Sequence, residues 1–200
     1  MRELINDPFY ETLEKYQRCI IEYCLIEDEI KHRGFESHKC AVLFAVIKAI
    51  ERYLDHTEMI PYVEKGGEFK MCRWSLDMDK AKGHTIDASL FLETPRVIKK
   101  DRHLGVTYDL PLPDVDAGDR IPYWYTFLET PHTSGYTPED FAALNAALFP
   151  AGTDELEVYE WTTDWSSYFD EGHEWWGAAC WSVYDKRMNR YAVILASTTD

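Results

Sequence analysis

Between residues 161 and 181 the chain reads WTTDWSSYFDEGHEWWGAACW, and five of its seven tryptophans fall there. Asp170, Glu171, His173 and Glu174 stand among them. A carboxyl packed against Trp175 or Trp176 loses hydration. Its pKa then rises, which lets it hold a proton near neutrality. With His173 beside it, such a group forms an acid–base pair, and indole faces stack on sugar rings and on cations. One reading is therefore a small hydrolase or carbohydrate-active enzyme with a Trp-lined acidic pocket, its catalytic groups drawn from Glu129, Asp170, His173 and Glu174.

The same residues support binding without catalysis. Aromatic side chains ringed by acids suit a basic protein partner, and a strongly negative charge speeds encounter with one. The expected face comprises Trp165, Tyr168, Asp170, Glu171, His173, Glu174, Trp175 and Trp176. This is the favoured expectation: an acidic, cytoplasmic binding protein of inhibitor or immunity type, not an enzyme. Filling of a core is the plain alternative for the indoles. It is expected for Trp161 and Trp181, which fall inside strand patterns. Trp165, Trp175 and Trp176 fall outside them and are expected at the surface or in a cleft.

A second aromatic cluster, Tyr123, Trp124 and Tyr125, precedes Glu129 and His132. If a strand over 123–129 lies beside one over 155–161, Glu129, His132, Asp170 and His173 ring one cleft.

Other constellations carry less chemistry. Asp114, Asp116 and Asp119 open like a calcium loop. Gly118 stands where the third ligand belongs and Tyr125 where the bidentate Glu belongs, so an acidic turn is expected. The histidines, His32, His38, His56, His84, His103, His132 and His173, match no metal signature and read as scattered solvent groups. No metal site and no cofactor are expected. Nucleophile elbows and phosphate-cradling glycine loops are missing. Five cysteines without CxxC spacing suggest free buried thiols in a reducing compartment. A formal charge of −15 argues against nucleic acid and against anionic membranes. The apolar run at 40–50 is too short to span a bilayer, and the opening residues lack the apolar stretch of a signal peptide.

These residues need elements to hold them, and the sequence predicts one α+β domain over 1–200. Its helical part covers about 1–56 and its sheet part about 57–200. Asp7-Pro8 starts a helix. Leu13, Tyr16, Ile20, Tyr23, Cys24 and Ile30 then recur mostly at steps of three and four, and Gly34 closes the run. A second helix runs from about Ser37 to Leu54, completing a helical hairpin over about 8–54. Strands are expected at 86–93, 104–110, 123–129 and 155–161, with a C-terminal β-hairpin turning at DKRMN. The sheet is expected to be mostly antiparallel, with five or six strands. Thr137-Pro138-Glu139-Asp140 opens one further helix, near 138–149. FLETP occurs at 91–95 and again at 127–131, read as a strand ending at proline both times.

Overall fold

The computed structural model describes residues 1–28, 31–56, 74–101, 105–130, 135–173 and 177–197. In chain order its elements are β1 (Arg2–Glu3), α1 (Pro8–Leu13), β2 (Ile21–Glu27), α2 (Phe35–His56), β3 (Gly83–Ile86), α3 (Ala88–Phe91), β4 (Val97–Asp101), β5 (Gly105–Tyr108), α4 (Tyr123–Leu128), α5 (Pro138–Leu148), β6 (Leu156–Trp161), a 3-10 turn (Ser167–Phe169), α6 (Asp170–His173), β7 (Ala178–Asp185) and β8 (Arg190–Ser197). Six strands form one sheet in the order β1-β2-β8-β7-β6-β3, and β4 and β5 pair separately. Every pairing is antiparallel.

The sheet is covered on both faces. Tyr23, Leu25, Val158, Trp181, Val183 and Ile194 pack with Phe91, Tyr123, Phe127, Phe141 and Leu144 from the short helices on one side. Cys24, Ile26, Cys180, Val193 and Leu195 pack on the other side with Val42, Ala45 and Val46 of α2, and with Trp165 and Phe169. Alternate residues of each strand serve opposite cores. The central pair, β7 and β8, is buried almost end to end.

The predicted helical hairpin does not form. Its first helix stops at Leu13, and residues 21–27 are a strand in register with β8, Tyr23 facing Ile194. The reason is burial on two sides. Nearly every position from 20 to 26 is apolar, so a helical spacing could be picked out of a continuous run that suits an inner strand better. Gly34 does take φ +59°, yet it precedes α2 rather than ending a helix; its carbonyl accepts from the Ser37 and His38 amides.

A second correction concerns 123–129. Residues 123–128 form α4, with Tyr123, Trp124, Thr126, Phe127 and Leu128 all buried. Aromatic strand propensity lost to a packing site between the sheet and α5. Only the start of 86–93 is strand: Asp87 accepts from the Ser89 amide and opens α3. Both FLET stretches therefore lie at the ends of short helices, not of strands. β5, β6, the β7–β8 hairpin and α5 form near their predicted places. In α5 the Thr137 and Asp140 side chains complete a reciprocal capping box.

Candidate functional site

The 162–173 segment is held by backbone bonds from a neighbouring stretch. Asp77 N donates to Trp165 O at 2.7 Å, Ser167 N to Ser75 O at 3.3 Å, and Thr162 N to Lys82 O at 2.9 Å. This pinning turns Trp165 inward. It is 1 % exposed, its Nε1 donates to Thr162 O at 2.7 Å, and its ring meets Phe169 edge-on at 5.5 Å. The expectation of Trp165 at the surface or in a cleft is thus corrected: it is a core residue on the α2 side. Trp161 and Trp181 are buried as expected.

The other nominated residues separate. Tyr168 is partly buried and donates to Glu22 of β2 at 3.0 Å, and burial holds its phenol well above the usual range. Asp170 is exposed at the start of α6. His173, at the end of α6, is exposed and shares a hydrogen bond of 2.9 Å with Thr163 Oγ1. Glu174, Trp175, Trp176 and His132, and the side chain of Glu171, lie outside the described residues. Glu129 caps α4 and accepts from Tyr108 at 2.7 Å. Because 123–128 is helical, the proposed pairing of that stretch with β6 is absent, and with it the reason to place Glu129 beside Asp170.

His173 does reach a cleft, of about 460 Å³, at the end of β6 and β7. Its walls come from the 115–121 loop, His84 of β3, Glu160 to Thr163, and Gly177 to Cys180. Glu160 organises the polar side. It accepts from Arg120 Nε at 2.9 Å and Trp181 Nε1 at 3.3 Å, and it lies 3.2 Å from His84 Nε2. Arg120 Nη2 is buried without a hydrogen-bond partner among the described residues. Val115, Ile121, Ala178 and Ala179 supply the apolar side. Close approach of the loop depends on Gly177, whose φ is +103°; a Cβ there would stand 2.4 Å from Ile121 Cδ1.

Asp114 and Asp119 cap their own turn, accepting from the Ala117 and Asp114 amides at 3.1 and 2.9 Å. They serve as the expected acidic turn, and it forms one lip of the cleft.

Sequence reasoning missed Glu160, Arg120 and His84. One signal was present. In LEVYEW, Glu160 shares a strand face with Leu156 and Val158, so a charge was due on the core side of a buried strand. His38 corrects the picture of solvent histidines, since it is fully buried; with His32 and Glu157 it forms a group whose ligand atoms could hold a metal ion. No family model, curated protein or solved structure matches the chain. No helix among the described residues is long and apolar enough to cross a membrane.

Proposed function

We propose that this chain is a binding protein that docks a basic protein partner at the cleft between the 114–121 loop and the 161–173 segment. One observation carries the reading: Asp119 and Glu160 line an opening with apolar walls, exposed Asp114 and Asp116 lie on the same turn as Asp119, and Asp164 and Asp170 are exposed in the segment that supplies Thr163 and His173 to the lining. A lysine or arginine side chain suits that arrangement. Its methylene stem covers apolar surface while its charge stays among carboxylates. The formal charge of −15 adds long-range attraction. The recognition set shifts accordingly. Asp170 and His173 stay, Trp165 leaves, and Asp119 and Asp164 join. Of the residues nominated for catalysis, the described lining of the cleft includes His173.

The test begins with capture from a lysate of the source cell at low and high salt, followed by titration of the purified partner. The triple variant Asp119→Asn/Asp164→Asn/Asp170→Asn should slow association roughly tenfold at low salt and flatten its salt dependence. Dissociation should change far less. A basic partner that binds wild type and triple variant at equal rates would defeat the proposal, as would a specific partner with an acidic surface.

A further inference from the structure

We infer that His32, His38 and Glu157 form a binding site for a divalent transition metal of the zinc type, clamping the loop before α2 to β6. The three residues come from separate elements. His32 lies in the loop before α2, His38 in the first turn of α2, and Glu157 on the α2-facing side of β6, two residues from Tyr159. One ligand atom from each lies within 4.8 Å of the others.

The spacing suits an ion better than direct bonds. Glu157 Oε1 stands 3.6 Å from His38 Nε2, and Oε2 stands 3.5 Å from His32 Nε2. Two ligands each about 2.1 Å from a tetrahedral zinc lie about 3.4 Å apart. Two imidazoles and a carboxylate are also a zinc ligand set that leaves a fourth position for water. His32 and Glu157 keep side-chain exposures of 16 % and 25 %, which gives that position access to solvent.

The surroundings orient the rings. His38 Nδ1 is 2.8 Å from Ser182 Oγ, and His32 Nδ1 is 2.6 Å from the Tyr191 hydroxyl. Metal-bound histidines are steadied by such partners on the far nitrogen. His32 also stacks on Tyr184 at 3.9 Å, the planes 9° apart. The independent observation is His38 Nε2, which is buried with no hydrogen-bond partner among the described residues, in a side chain of zero exposure. A polar atom left so costs stability unless something occupies it. Two contacts must yield. Gly34 N donates to His32 Nε2 at 3.2 Å, and the half-exposed Lys186 Nζ lies 3.6 Å from Glu157 Oε2.

The test is calorimetric titration of chelator-stripped protein with Zn²⁺, paired with Co²⁺ absorption. Wild type should bind one Zn²⁺ with Kd on the order of 1 µM or tighter. Co²⁺ should give the intense visible bands of four-coordination. Glu157→Gln and His32→Asn, each checked for a native fold by circular dichroism without metal, should weaken Zn²⁺ roughly 100-fold. Absence of saturable binding by folded wild type overturns the inference. So does binding unchanged in either variant, because that would be adventitious capture by surface carboxylates.

Discussion

Glu160→Gln is the most informative single change in the cleft. The substitution keeps shape and removes charge. Glu160 has a side-chain exposure of 12 % and receives Arg120 Nε at 2.9 Å and Trp181 Nε1 at 3.3 Å. Breaking a fully buried ion pair costs about 3–5 kcal/mol, and one hydrogen bond to a charged group contributes about 1.5–3. Arg120 keeps 30 % exposure, so water can take over part of its solvation, and its Nη2 already lacks a hydrogen-bond partner among the described residues. The lower range applies, and we expect a loss of about 2 kcal/mol. For a chain of this size that is a fall in Tm of roughly 4–8 °C. Urea denaturation of wild type, Glu160→Gln, Arg120→Met and the double variant gives the full cycle at neutral pH. The pair should couple by at least about 1 kcal/mol. A Glu160→Gln protein within about 0.5 kcal/mol of wild type, with additive single effects, would show that Glu160 does not organise the cleft wall.

Three further outcomes are expected from the same structure. Gly177→Ala should destabilise by about 1–3 kcal/mol, since φ is +103° there and the new methyl strikes Ile121; adding Ile121→Ala should relieve the clash but not the backbone strain, and full recovery would refute that split. Asp7→Ala removes both the cap on α1 and the carboxylate paired with buried Arg190, whose other arm donates to Leu148 O at 2.6 Å. A cost of about 3–5 kcal/mol is expected by denaturation, mostly recovered in Asp7→Ala/Arg190→Met; a cost below about 1 kcal/mol would contradict it. In native alkylation at pH 8 read site by site by mass spectrometry, exposed Cys40 should react before Cys19, Cys24 and Cys180. Cys24, its thiol pushed up to about 12 chiefly by burial, and fully buried Cys180 should stay protected until the chain unfolds; early labelling at either would argue against their burial.

The part of the site legible in the sequence was its address, not its membership. The density of Trp and acids at 161–176 pointed to a stretch of which Trp161, Thr162, Thr163 and His173 line the cleft. Trp165 shows why composition stopped there. An indole beside exposed acids has two possible directions, and the bonds from Ser75 and Asp77 turn this one inward. Glu160 and its partners were harder, because Arg120 and His84 come from distant stretches that meet only across β3 and the 115–121 loop.

Local chemistry determined what local chemistry can. Thr137 and Asp140 cap α5 with groups three residues apart, α2 carries its own apolar stripe, and the β7–β8 hairpin turns where DKRMN requires, Asn189 taking φ 50°. Each depends on contacts within a few residues. The fates of 21–27 and 123–128 were decided elsewhere. A run apolar at nearly every position has no period to read, so a vacant edge on β8 made the first a strand, and a pocket against α5 made the second a helix. The same dependence on distant partners gathers His32, His38 and Glu157: no spacing along the chain records a meeting made by α2 lying across the sheet.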